Sequence, residues 1–125
     1  VTFFAGTFVR HPLVLAAAKA VMTELKTRGP ELQATLDRRT EALVNAMNTI
    51  ATEAGVPLKV TRFSSMFMLN FAPGLKYASL FFYHMRLRGV HIWETRPSFL
   101  SVAHTDEDVA AVLQAFADSI AALQD

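Results

Sequence analysis

A glycine and a threonine stand just ahead of an alanine-rich segment, and together they can bind an anion. Gly6 has no Cβ, so it lets backbone amides come close to a ligand. Thr7 adds a hydroxyl that can donate a hydrogen bond. Pro12 suits the first position of a helix, so the positive end of a helix dipole is expected nearby. Gly6 and Thr7 are therefore the predicted residues of a site for phosphate or another anion.

The Gly6-Thr7 pair also has a purely structural interpretation. As a bare dipeptide, Gly-Thr is more often a turn than a phosphate site. The sequence around it lacks the spacing of a P-loop or of a dinucleotide fingerprint. Only five residues precede Gly6, and a start so close to a ligand-binding motif suggests a piece of a larger protein.

The remaining reactive residue types do not form a complete active site. The chain has no cysteine, and its four histidines do not fall at zinc-ligand spacings. Structural roles are expected for all four, and His104 is expected to orient the corner before Thr105. No serine lies in a Gly-x-Ser-x-Gly elbow, and the lysines have the pattern of solvated charges. We assign no catalytic residue and no metal ligand. The histidines are His11, His84, His91 and His104.

The composition indicates one domain, residues 1–125, that is apolar for its size. Hydrophobic residues make up 52% and charged residues 18%, so some apolar surface is expected to be covered by a partner or by the rest of a longer chain. A net charge of +1 argues against a nucleic-acid partner. No apolar run approaches the roughly 20 residues that cross a bilayer. The lack of cysteine fits a cytoplasmic protein. Within the domain, residues 1–29 are the first helical segment and residues 30–125 a small α+β domain.

Two helices are predicted in the first half of the chain. Alanines favour a helix from Pro12 to Lys26. Gly29 can end it, and Pro30 can begin the next helix, which continues to Glu53. The apolar residues of the second helix recur at helical spacing and define one face. They are Leu32, Leu36, Leu43, Met47 and Ile50.

The second half alternates between strand and helix patterns. Strands are predicted over residues 58–62, 66–71, 90–93 and 99–102. Ser79 is a candidate cap for a short helix that ends before Gly89. Thr105 and Asp108 form an acidic variant of the capping box at the start of the last helix. This order predicts an α+β fold in which a small, mostly antiparallel sheet is covered by helices.

Three segments together resemble class III aminotransferases, which are fold type I enzymes that use pyridoxal 5′-phosphate. Residues 4–13, with the alanine-rich helix that follows, resemble the segment that opens the C-terminal part of these enzymes. Residues 99–109 resemble the end of the glutamate-1-semialdehyde aminomutase branch, with its Ala-His-Thr corner and acidic cap. Residues 89–97 look most like aminotransferase domains embedded in hybrid polyketide and nonribosomal peptide synthases. Ser98 departs from that last pattern, where cysteine is frequent.

The resemblance implies that this chain is the C-terminal domain of such an enzyme. The family's Gly-Thr threonine donates to the phosphate of the cofactor held mainly by the other subunit of a dimer, so Gly6 and Thr7 would bind pyridoxal 5′-phosphate across a homodimer interface. The catalytic lysine of the family lies upstream, in a large cofactor-binding domain, and this chain alone would be inactive. Arg10 and Arg96 are candidate substrate-binding residues, and solvated turn charges are the alternative for both.

Several functions stay open on this basis. The resemblance implies transfer of an amino group to a keto or aldehyde acceptor, and in the synthase-embedded case to a β-keto acyl chain on an acyl carrier protein. The first alternative is a glutamate-1-semialdehyde 2,1-aminomutase. The second is a non-catalytic docking module, supported by the apolar content and by the aromatic group Phe81, Phe82 and Tyr83. Against this, Phe81 and Phe82 also fit the core of a short helix.

Overall fold

The computed structural model describes residues 6–124 and has mixed α and β structure. The elements are α1 (Pro12–Arg28), α2 (Glu31–Glu53), β1 (Leu58–Phe63), β2 (Met66–Phe71), α3 (Leu80–Leu87), β3 (Ser98–Phe99) and α4 (Asp106–Ala121). The predicted α+β class, with a small antiparallel sheet, is confirmed. Within residues 6–124, no helix combines the length and the apolar character that a membrane span requires.

The chain divides into two compact units, and the division falls after Ala34, inside α2. The first unit contains α1, which begins with Pro12 at its first turn. Gly29 ends α1 with a φ of +66°, and its N–H donates to the carbonyl of Leu25 at 3.0 Å. The predicted helix start and the predicted break after α1 are therefore confirmed. No residue of α1 is buried among the described residues.

The second unit contains a three-stranded antiparallel sheet in the order β1, β2, β3. β1 and β2 form a hairpin in which Leu58 lies opposite Phe71 and Phe63 lies opposite Met66. β3 pairs with the start of β2, where Phe99 lies opposite Met66. Alternation along β1 buries Leu58 and Val60 and leaves Lys59 and Thr61 exposed, as the sequence pattern predicted.

Residues 90–93 do not form the predicted strand. Their burial alternates as a strand's would, since Ile92 is buried between exposed His91 and Trp93, but no β ladder forms there in the described part of the chain. The alternation of apolar and polar residues indicates which side chains enter the core. A β-strand also needs a neighbouring strand that forms hydrogen bonds with its N–H and C=O groups. The predicted strand over 99–102 is also wrong in its bounds, because β3 is only Ser98–Phe99.

The core of the second unit joins α2, the sheet, α3 and α4. Its centre is a group of aromatic rings around Phe81, which is fully buried. The ring centroid of Phe81 lies 5.4 Å from that of Phe71, 5.4 Å from Phe82 and 5.3 Å from Phe116, all edge to face. The core interpretation of Phe81 and Phe82 is confirmed, while Tyr83 is 58% exposed.

One side chain of α2 covers the outer edge of β1. The Nδ2 group of Asn48 donates to the carbonyl of Val60 at 2.9 Å, and its Oδ1 accepts from the N–H of Val60 at 2.8 Å. The carboxamide thus satisfies both backbone groups, as a neighbouring strand would. This bond pair fixes α2 against the sheet.

Ser79 precedes α3 but does not cap it. Its backbone is already helical, with φ −61° and ψ −25°, and its side chain makes no capping bond. An N-cap residue needs extended dihedrals to turn its oxygen toward the first free N–H groups. The Ser79 hydroxyl instead donates to Oε1 of Glu94 at 2.6 Å. Gly89, with a φ of +82°, follows the helix as predicted.

Candidate functional site

The Gly6-Thr7 pair lies in a turn that leads into α1. The carbonyl of Gly6 accepts from the N–H of Val9 at 3.2 Å, and the carbonyl of Phe8 accepts from the N–H of His11 at 3.0 Å. Gly6 has a φ of +155°, and a Cβ added there would meet no atom within 4 Å. The turn interpretation is therefore confirmed for the backbone, and the glycine surface is open. The residues before Gly6 in the family-like motif, Phe4 and Ala5, lie outside the described residues.

The Thr7 hydroxyl and the free N–H groups at the start of α1 are hydrogen-bond donors, and the first turn of the helix has no carboxylate that competes for them. Thr7 is exposed, and its hydroxyl has no hydrogen-bond partner among residues 6–124. The first turn of α1 contains no acidic residue, and His11 provides no side-chain cap. The N–H groups of Leu13 and Val14 lie at the helix start, where no intrahelical acceptor exists for them. This donor set suits an anion such as phosphate.

The two candidate arginines occupy different units. Arg10 is exposed, beside the start of α1. Arg96 is exposed in the second unit, where its N–H donates to the carbonyl of Trp93 at 3.2 Å. Its guanidinium carbon lies 5.5 Å from the centroid of the Trp93 ring. Arg96 is thus a turn residue stacked on an aromatic face, and a substrate role for either arginine stays a prediction.

A pocket of about 410 Å³ lies beside Trp93 in the second unit. Sequence reasoning missed it because its walls come from segments far apart in the chain, between Leu43 and Val112. Most of its lining is apolar. His104 and Asp108 contribute to the wall, but both hold the corner before α4. The pocket therefore offers a place for an apolar group rather than a set of reactive groups.

His104 has the structural role that was predicted for it. Its Nδ1 accepts from the backbone N–H of Ser101 at 3.1 Å and lies 3.0 Å from the hydroxyl of Ser101. A backbone N–H can only donate, so Nδ1 is the unprotonated nitrogen of this ring. The carbonyl of His104 accepts from Arg39 at 3.0 Å. Across residues 6–124, no cluster of three His, Asp or Glu side chains is placed to hold a metal ion.

The predicted capping box at the start of α4 is confirmed. The N–H of Asp108 donates to Oγ1 of Thr105 at 3.1 Å, and the N–H of Thr105 donates to Oδ2 of Asp108 at 2.8 Å. The backbone hydrogen bond from Thr105, followed by the bond to its hydroxyl, lowers the pKa of Asp108. The pKa of Glu107 is also lowered, first by its own backbone N–H and then by the Thr105 hydroxyl.

This capping box makes the folding stability of the protein depend on pH. The folded-state pKa of Asp108 is lowered. Its contribution to the free energy of unfolding is therefore complete above the ordinary aspartate pKa of about 3.9, and it is lost as the pH falls through the lower folded-state value. Asp108→Asn keeps an acceptor oxygen that does not titrate. We expect urea unfolding midpoints near pH 7 and near pH 3 to differ less in Asp108→Asn than in the wild type. Glu53→Gln, a carboxylate outside the cap, is the control, and equal pH dependence in all three proteins would contradict the prediction.

Comparison with known proteins relates this chain to aminomutases and transaminases. It is 33% identical, over 95% of its length, to the glutamate-1-semialdehyde 2,1-aminomutase of Syntrophus aciditrophicus strain SB, and it spans 31% of the length of that relative. No family model matches the sequence.

Solved structures extend the relation to the fold. An omega-transaminase from Sphaerobacter thermophilus superposes with a TM-score of 0.82, at 22% identity, over 99% of this chain and 31% of its own. The chain has the fold of a transaminase segment. A transaminase structure with PLP bound superposes with a TM-score of 0.69, at 22% identity, over 82% of this chain and 26% of its own. This chain spans about a third or less of the length of each of these three proteins.

Proposed function

We propose that this chain is the C-terminal segment of a class III aminotransferase that uses pyridoxal 5′-phosphate. The observation that carries the proposal is likeness over nearly the whole chain. The sequence is 33% identical to an aminomutase over 95% of the chain, and the backbone follows an omega-transaminase over 99% of it. The proposed location is the cytoplasm, which fits a chain without cysteine.

The residues at the start of the described chain fit the phosphate of this cofactor. Thr7 has an exposed hydroxyl, and the open surface of Gly6 lets an anion approach the backbone. The helix start beyond them adds N–H groups and no carboxylate. When bound, the cofactor supplies the electron sink for amino-group transfer. In this proposal Gly6 and Thr7 hold the phosphate across a homodimer interface.

The reactive amine would come from another part of the enzyme. We propose that the catalytic lysine lies in an upstream large domain and that residues 1–125 alone are inactive. The four lysines of this chain support that assignment, since Lys19, Lys26, Lys59 and Lys76 are all exposed. A lysine that reacts with a carbonyl compound near neutral pH is usually desolvated so that its pKa falls.

The proposed acceptor is a β-keto acyl chain carried by an acyl carrier protein. Its support is the resemblance of residues 89–97 to synthase-embedded aminotransferases. The aminomutase is the second candidate, and its support is the name of the relative from Syntrophus aciditrophicus. In an aminomutase the amino group moves within one molecule, so no separate amino donor is consumed.

The full-length protein that contains this chain tests these proposals. With the cofactor loaded, an amino donor should change the cofactor absorbance, and borohydride reduction followed by peptide mapping should attach the cofactor to a lysine outside residues 1–125. Intact-mass analysis of a β-ketoacyl carrier protein should then show amination of the acyl chain. Conversion of glutamate-1-semialdehyde without a donor would support the aminomutase. Absence of any donor-dependent change and of that conversion would refute both enzymes.

A further inference from the structure

The outward face of α3 is apolar where an amphipathic helix normally carries polar residues. Leu80, Tyr83 and Leu87 are spaced i, i+3 and i+7, so they lie along one face. They are 45%, 58% and 81% exposed, and Tyr77, just before the helix, is 67% exposed. The opposite face of α3 enters the core through Phe81, Phe82 and Met85. We call Tyr77, Leu80, Tyr83 and Leu87 the α3 stripe.

Two cations lie on the rings of the α3 stripe. The Nζ of Lys76 lies 5.7 Å from the centroid of the Tyr77 ring, and the guanidinium carbon of Arg86 lies 5.6 Å from that of Tyr83. Neither cation forms an ion pair with a carboxylate within residues 6–124. Arg86 donates from Nε to His91 at 3.3 Å.

The carboxylates nearby have partners of their own. Glu94 accepts a hydrogen bond from Ser79 at 2.6 Å. Asp118 lies 3.9 Å from Arg88 and accepts from Gln114 at 2.8 Å. These bonds from neutral groups leave the carboxylates charged, but neither Lys76 nor Arg86 is paired with a carboxylate in the described part of the chain, so both cations can attract an acidic partner.

A concave feature lies at the first end of the α3 stripe. A pocket of about 330 Å³ is lined by Lys76, Tyr77 and Leu80 together with residues 55–57 and 122–124. Tyr77 borders it in a left-handed conformation with a φ of +63°, which is uncommon for a bulky side chain. The surface thus combines an apolar stripe, a pocket for a side chain and two cations. A concave pocket can hold a protruding side chain, so this surface fits a protein partner better than a flat membrane surface.

We propose that the α3 stripe, with Lys76 and Arg86, docks an acidic amphipathic helix of a carrier protein. The choice of this partner rests on the proposed function, in which the acceptor is an acyl chain attached to a carrier protein. The apolar face of the partner's helix would cover Tyr83 and Leu87, with one of its side chains in the pocket beside Tyr77, as in helix-in-groove recognition. Its carboxylates would neutralise Lys76 and Arg86.

The test uses the full-length protein and a fluorescently labelled, purified acidic acyl carrier protein, with fluorescence anisotropy at low salt. The variant Lys76→Glu with Leu87→Ser reverses one charge and removes one exposed apolar group. Its matched control is Lys59→Glu with Phe63→Ser, an exposed lysine and a 78% exposed aromatic on β1. We expect affinity to fall roughly tenfold or more in the α3 variant and less than about twofold in the control. The donor-dependent absorbance change, which needs no carrier, should be retained in both.

Three results would overturn the docking proposal. One is equal carrier affinity in the two double variants. Another is the absence of carrier binding by the wild type, and the third is binding to vesicles of anionic lipid in place of the carrier. In the last two cases the aminotransferase proposal is still tested independently, because the absorbance change on adding an amino donor does not need the carrier protein. Loss of that change in the wild type would refute the proposed enzyme, whatever the carrier assay shows.

Discussion

Replacing Phe81 with alanine is expected to lower the free energy of unfolding by about 3–5 kcal/mol. Phe81 is fully buried, and the smaller side chain would leave a cavity that its neighbours can fill only in part. The substitution also removes three edge-to-face contacts, with Phe71, Phe82 and Phe116 at 5.3–5.4 Å. Such aromatic contacts add to the burial itself.

Urea unfolding followed by circular dichroism measures this effect. Leu87→Ala is the matched control because it lies on the same helix and is 81% exposed, so its effect should stay within about 0.5 kcal/mol. Phe81→Leu keeps most of the side-chain volume, so its loss in the free energy of unfolding should lie between those of Phe81→Ala and Leu87→Ala. Similar unfolding midpoints for Phe81→Ala and Leu87→Ala would show that the aromatic group around Phe81 is not the centre of the core.

Thr7→Ala in the full-length protein is expected to weaken cofactor binding by about 1.5–3 kcal/mol, which is roughly a 10- to 150-fold higher Kd. The physical reason is the loss of a hydrogen bond to a charged phosphate from a hydroxyl that has no other partner among residues 6–124. Dialysis against cofactor-free buffer, with absorbance recorded over time, measures retention of pyridoxal 5′-phosphate.

Two variants separate a phosphate contact from a general loss of stability. Thr7→Ser keeps a hydroxyl and should retain most of the cofactor. Thr49→Ala removes an exposed threonine on α2 and should retain all of it. If the cofactor leaves Thr7→Ala no faster than it leaves these two proteins, Thr7 does not bind the phosphate.

Local chemistry made the helices predictable. Pro12 at the start of α1, Gly29 after it and the reciprocal bonds between Thr105 and Asp108 are all interactions within a few residues of sequence. All the residues that form such an interaction lie in one short stretch of sequence, so the interaction can be recognised there. The hairpin of β1 and β2 was predictable for the same reason, since both strands and their turn are adjacent in the chain.

Features that depend on distant neighbours were not predictable from the sequence. Residues 90–93 have the burial pattern of a strand, but no strand of the described chain pairs with them. The hydroxyl of Ser79 turns to Glu94, 15 residues away, instead of capping α3. The pocket beside Trp93 is assembled from α2, the sheet and α4. For Gly6 and Thr7 the sequence indicated the donors and the turn, while the phosphate partner stays a prediction.

The bond pair between Asn48 and Val60 has a consequence for self-association. β1 is an outer strand of the sheet, and an outer strand with free N–H and C=O groups is a template on which another chain can add a strand and start an aggregate. At Val60 both groups are already occupied by the carboxamide of Asn48. A newly arriving strand would have to displace that side chain, so α2 protects this protein against fibril-like stacking along β1.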